Sequence, residues 1–188
     1  MKSFICACCL ALVAPIAGAQ TSVTGSGGGY LVHERGEVTA PGGSGSDSSL
    51  GFGVQGHLLF NENIFAAVEL QDAELASFRL GGGVLLPAGP DTTWVLGAAL
   101  VDKDFDDGIG IFGGLKHNLN PQLELKGVLG YLMLGDFDGL ELTLGGGYKI
   151  DRYWTAFADL RMFKGHADGN VDVDTTEFRF GASYNFTL

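Results

Sequence analysis

The chain has 188 residues, 46% of them hydrophobic, with 31 glycines and a formal charge of −11 from 11 Lys plus Arg against 22 Asp plus Glu. Such acidity argues against a nucleic-acid partner, because phosphate binding needs clustered cations. The glycines follow no three-residue repeat, which excludes collagen, and no segment after the N-terminus approaches the roughly 20 apolar residues of a spanning helix.

Lys2, an apolar run from Phe4 to Ala14 and the small residues Ala17-Gly18-Ala19 have the anatomy of a cleavable secretory signal. Residues 1–19 are therefore expected to be a signal peptide and 20–188 a single domain beginning at Gln20. All three cysteines, Cys6, Cys8 and Cys9, lie in the leader. The mature chain then has no disulfide and must be held together otherwise. The leader carries Lys2 alone among the charged residues, so the mature chain is more acidic still.

From Gly28 onward ten strands are expected. The first pairs Tyr30 and Val32 on one face against Gly29, Leu31 and His33 on the other. A polar Gly/Ser/Pro loop is expected from Glu37 to Ser49. The second strand alternates from Leu50 to Phe60, and Asn61-Glu62-Asn63 is a tight turn. The third runs from Ile64 to Gln71. After a short acidic connection at 72–74, the fourth carries Phe78, Leu80, Val84 and Leu86, and Pro87-Ala88-Gly89-Pro90 stops it. Trp94, Leu96, Ala98 and Leu100 mark the fifth, ending at the acidic stretch 102–107. Ile109, Ile111 and Leu115 mark the sixth; Leu125, Leu129, Tyr131 and Met133 the seventh; Leu140, Leu142, Leu144 and Tyr148 the eighth; Trp154, Ala156, Ala158, Leu160 and Met162 the ninth. After a loop at 164–174 comes the clearest strand. Phe178, Phe180, Ala182, Tyr184, Phe186 and Leu188 alternate with Glu177, Arg179, Gly181, Ser183, Asn185 and Thr187. Strict alternation over twelve residues is the period of a strand with one apolar face, and its length suits a tilted strand crossing a bilayer, which needs roughly 9–11.

Two regularities follow. The connections near 61, 87, 118 and 151 are short turns. Those near 37, 102, 136 and 164 read as longer, acidic or glycine-rich loops, with a short one near 72. That is the asymmetry of a barrel with periplasmic turns and outer loops. The strand charges Glu69, Arg79, Lys116, Glu124, Lys126, Glu141, Asp159, Arg161, Glu177 and Arg179 all lie on the non-aliphatic face. A Lys or Arg facing lipid at the midplane costs roughly 2–4 kcal/mol, whereas five acids and five bases inside a barrel can pair. Phe65, Phe112 and Phe157 share the charged face, which suits a filled interior. Tyr30, Phe60, Trp94, Tyr148, Trp154 and Tyr184 fall near strand ends, where aromatic girdles lie. The reading is an all-β, closed antiparallel up-and-down transmembrane β-barrel of ten strands, with eight as the alternative.

Leader, cysteine-free mature chain, Gly-rich strands and the terminal run from Phe178 to Phe186 resemble the small bacterial outer-membrane β-barrels, the OmpA-like and opacity-porin-like group. The resemblance spans the mature chain by pattern rather than by a diagnostic motif. It implies location in the outer membrane of a Gram-negative cell, and a C-terminal signal (Tyr184, Phe186, Leu188) read by the barrel assembly machinery. In that group the last residue is typically aromatic; here it is Leu188.

The triplets Gly81-Gly82-Gly83 and Gly145-Gly146-Gly147 lack the following helix that a phosphate loop needs, and read as barrel curvature and room for neighbouring side chains. His166 with Asp168, and Asp102, Asp104, Asp106, Asp136 and Asp138, are the places to look for catalysis or a cation. No serine accompanies His166, and 102–107 lacks the twelve-residue calcium-loop pattern, so these read as solvated loop charge. His33 and His57 are expected on the luminal face. The functional expectation is a monomeric barrel with a packed polar lumen and a structural or surface-interaction role, needing no cofactor or metal and having no enzymatic activity, with outer-membrane lipid as surroundings and little or no conductance. A narrow channel, a barrel enzyme acting on lipid A or peptides, and a soluble periplasmic lipocalin-like carrier are the alternatives.

Overall fold

A computed structural model describes residues 22–73, 76–103, 106–167 and 170–188. The expected leader with its three cysteines, Gln20, Glu74, Asp104 and Asp168 lie outside them. Ten strands follow one another: β1 (Val23–Ala40), β2 (Gly43–Phe60), β3 (Ile64–Asp72), β4 (Ser77–Pro87), β5 (Thr92–Lys103), β6 (Asp106–Asn118), β7 (Leu123–Leu134), β8 (Phe137–Lys149), β9 (Trp154–Ala167) and β10 (Val171–Thr187). Each pairs antiparallel with its sequence neighbours, and β10 pairs with β1 to close the barrel. Closure leaves no open edge along the paired wall, the condition for a sheet to cross lipid.

The period-2 pattern decides which face is which. Leu31, Phe52, Leu70, Leu100, Ile111, Leu129, Leu140 and Phe180 are among the large apolar side chains exposed on the outer wall. A soluble carrier would bury that face; this barrel displays it. Trp94, Tyr148, Tyr153, Trp154 and Tyr184 form a girdle at the end where the turns lie. Tyr184 stacks on Tyr153 at 5.7 Å between ring centroids and meets Trp154 edge-on at 5.4 Å. Tyr30 is not in a girdle: it is buried in the lumen, its ring edge-on to Phe157. His33 is likewise not luminal, but exposed on the outer wall beside the Ser49 carbonyl. Both follow from β1, where Tyr30, Val32 and Glu34 point inward.

The stretch 37–49 is not a loop. Glu37 to Ala40 pair residue by residue with Gly43 to Ser46, so β1 and β2 run on as a tall hairpin. Small Gly and Ser residues supply backbone partners without needing an apolar surface to cover. The expected loop at 164–174 is mostly strand too, with Lys164 opposite Asp174. At the turn end, Asn61 and Glu62 both have positive φ (49° and 64°), and the Asn63 N–H donates to the Phe60 carbonyl at 3.2 Å. Two successive left-handed residues give the turn the twist that matches its strands, and Asn63 completes a three-residue connection before Ile64 pairs with Phe60.

Glycine makes the filled lumen possible. A Cβ on Gly53 would lie 2.2 Å from Cζ of Tyr30, and one on Gly97 would lie 2.6 Å from Cζ of Phe112. Large rings therefore lie flat against bare backbone on the adjacent strand. In one of the two triplets, a Cβ on Gly145 would lie 1.9 Å from Oδ1 of Asp159. That space admits a charged group described next.

Candidate functional site

Three layers fill the lumen. At the loop end Val101, Leu132, Leu134 and Phe163 pack together, each no more than 3% exposed, with Ala99 and Phe137 against them. The Lys103 ammonium sits 5.1 Å from the centre of the Phe163 ring. These side chains form an apolar stopper. They lie on the inward face by the same alternation that sets Leu100 and Met133 outward, so periodicity marks them; being apolar, they do not announce themselves as luminal.

The second layer is ionic and crosses the barrel. Arg161 on β9 donates from Nη1 and Nη2 to the two oxygens of Glu69 on β3, at 2.8 and 3.0 Å. Arg179 on β10 donates to the same carboxylate at 2.8 Å and to Asp159 at 3.1 Å. Arg79 on β4 forks onto Glu141 on β8 at 2.7 and 2.5 Å. Glu177, opposite Arg161 in register, accepts from it at 3.4 Å. Forked guanidinium–carboxylate pairs are the strong, geometrically specific kind. All of these groups are nearly or wholly removed from water, Asp159 completely. Buried charge is tolerated only when so paired.

In the third layer, toward the turn end, Lys126 reaches Asp159 at 2.9 Å and Lys116 reaches Glu124 at 3.0 Å. Their side chains are about one-third exposed, and His57, luminal by its register, is exposed as well. Each of the ten strand charges singled out in the sequence thus has an opposite charge within 4 Å. Further luminal charges escaped that reading, among them Glu34 and Lys103, both almost completely buried. The alternation that turns Tyr30 and Val32 inward also turns Glu34 inward. Lys103 continues the inward face of Val101, although its acidic neighbours make it read as loop.

The remaining candidates lie on the outer wall or at the loop end. His166 bonds Asp172 across β9 and β10 at 2.8 Å, both exposed on the outer wall; Asp168 is not among the described residues. Asp106 accepts from the backbone N–H groups of Asp107 and Asp136, each at 2.9 Å, and so shapes the loop end. Asp138 accepts from the Tyr131 hydroxyl. Among the described residues no three acidic, His or Cys side chains are placed to share a metal ion. At the C-terminus Tyr184 is in the girdle, and the Phe186 ring lies on Gly25 of β1, where a Cβ would come within 2.5 Å of it.

No family model and no curated protein matches the chain. Solved structures do. An outer-membrane channel from Pseudomonas putida F1 superposes with a TM-score of 0.52 at 10% identity, covering 88% of this chain and 95% of that one. The KdgM porin in complex with disordered oligogalacturonate gives 0.48 at 12% identity, over 85% and 99%. The attachment invasion locus protein of Yersinia pestis gives 0.40 at 14%, over 86% and 99%. At such identity the likeness is one of fold. By that fold and by its lipid-type outer wall, the chain is an outer-membrane β-barrel.

Proposed function

We propose that this is a sealed barrel with a structural or surface-interaction role rather than an open pore, presenting its acidic loop end at the cell surface. The observation that carries this is the cross-lumen pair of forked bridges, Arg161–Glu69 and Arg79–Glu141, under an apolar stopper. A barrel of about eight to ten strands is just wide enough for side chains to fill, and open channels belong to roughly 16-stranded porins. Here charge and hydrocarbon both fill it.

The same reading makes the chain a monomer inserted by the barrel assembly machinery through Tyr184, Phe186 and Leu188, without cofactor or catalytic group.

Pure protein in planar bilayers is expected to show little or no conductance. Stable, large single-channel steps would replace this reading with that of a channel, as the P. putida protein of similar fold is an outer-membrane channel.

A further inference from the structure

The turn end of the lumen differs from the rest in both charge and access. We propose that it is a blind, water-filled vestibule that binds a small oxyanion or carboxylate carrying at least two negative charges, taken from the periplasmic side. The blindness rests on the sealed-lumen reading; the anion site rests on its own residues.

Lys116 on β6 and Lys126 on β7 are direct register partners on the luminal face. Directly opposed residues hold their Cβ atoms about 4.5–5.5 Å apart, and like charges in that relation destabilise a sheet. The carboxylates that answer them are Asp159, from β9, and Glu124, two residues along β7 from Lys126 on the same face. Lys126 leans inward to Asp159, which also serves Arg179; Lys116 leans to Glu124 on its own hairpin. Asp159 is fully buried and shared between two cations, so it does not neutralise Lys126 outright. Both lysine side chains keep about a third of their surface open to solvent.

Other positive or proton-bearing groups face the same mouth. Lys149, at the turn end of β8, falls on the luminal face by its pairing with Thr155 and is exposed. His57 faces inward from β2 and is exposed too. Beside Lys126 in register stands Gly145, whose bare backbone is covered by the Asp159 carboxylate, and beyond it stands Gly147, opposite Glu124. A chain whose formal charge is −11 thus concentrates ammonium groups at one lumen mouth. Two lysines a strand spacing apart suit a ligand able to accept from both, such as a phosphate or a polycarboxylate, over a monovalent ion. Above them the buried bridges and the apolar stopper stop the ligand from passing on.

Isothermal titration of the detergent-folded protein with inorganic phosphate and with citrate, at constant ionic strength set by chloride, tests the site. Binding is expected for both, weakened at least tenfold in Lys116→Gln and strengthened several-fold in Glu124→Gln, which removes the competing carboxylate. A site that was merely structural would not gain from the second substitution. Heat-modifiable gel migration establishes that each variant is folded. Access is tested separately in proteoliposomes with Lys116→Cys in a chain expressed from Gln20 onward, where it is the single thiol. A charged, impermeant thiol reagent is expected to label it from the turn side alone. No binding above chloride, or equal binding by Lys116→Gln, overturns the anion site. Labelling from both sides overturns the blind vestibule and the sealed lumen while leaving the anion site to the titration.

Discussion

Glu69 and Arg161 stand on opposite walls of the barrel, on β3 and β9, and meet in the middle through two hydrogen bonds of 2.8 and 3.0 Å. The same carboxylate takes a third bond, from Arg179. One acid therefore holds two arginines from neighbouring strands against a distant third strand.

Glu69→Ala should be among the most damaging luminal substitutions. It takes the shared carboxylate from two guanidinium groups in a space closed to water, leaving Arg161 to Glu177 and Arg179 to Asp159, and breaking a buried pair by removing one partner costs up to about 3–5 kcal/mol. Equilibrium unfolding in urea from lipid vesicles measures it. Lys116→Ala, at the water-exposed end, is expected to cost about 1 kcal/mol or less.

The outer wall makes the opposite demand. Leu129 is half exposed near the middle of β7, so Leu129→Arg sets a cation against hydrocarbon and should cost about 2–4 kcal/mol. Leu129→Ala should cost clearly less. Folding yields into bilayers of defined composition compare the two, and equal tolerance would mean that this wall does not face lipid.

Gly53→Ala should destabilise the barrel by about 1–3 kcal/mol through overpacking, because its methyl group would meet the Tyr30 ring at 2.2 Å. In a Tyr30→Ala background the ring is gone, and the same change should cost almost nothing. A double-mutant cycle reads the difference.

Glu62 occupies a left-handed position, φ 64°, in the turn between β2 and β3. An L residue with a side chain pays about 1–2 kcal/mol there, while glycine does not. Glu62→Gly should therefore raise stability by about 1 kcal/mol in the same unfolding measurement.

How far the fold could be read from the residues depended on whether one face of a strand was uniformly apolar. In β10, where Phe178, Phe180 and Tyr184 oppose Glu177 and Arg179, orientation follows at once. In β1 neither face is uniform: Tyr30 and Val32 turn inward with Glu34, and His33 shares the outer face with Leu31. Tyr30 therefore reads as a girdle residue and His33 as luminal, both wrongly. The Gly/Ser stretch 43–49 is strand because β1 offers it a backbone to pair with, a tertiary fact that no periodicity records. Within the site, pairs on adjacent strands such as Arg161–Glu177 and Arg179–Asp159 were legible from position, and lie at 3.4 and 3.1 Å. Arg161–Glu69 and Arg79–Glu141 were not, because they depend on how the strands tilt and close around the lumen.

The span of those bridges along the chain has a consequence for how the barrel is made. Arg161 lies 92 residues beyond Glu69, and Arg179 lies 110 beyond it. β10 also brings the wall that completes the cylinder. Until these last two strands arrive, Glu69 has neither arginine to receive it. Inserting the early hairpins alone would carry that carboxylate toward lipid with only its register partner Arg79 beside it. Non-local contacts of this kind form late and slowly. The chain is thus suited to enter the membrane as a nearly finished cylinder, the Glu69 cluster completed only as β9 and β10 arrive and the seam between β1 and β10 closes, rather than hairpin by hairpin.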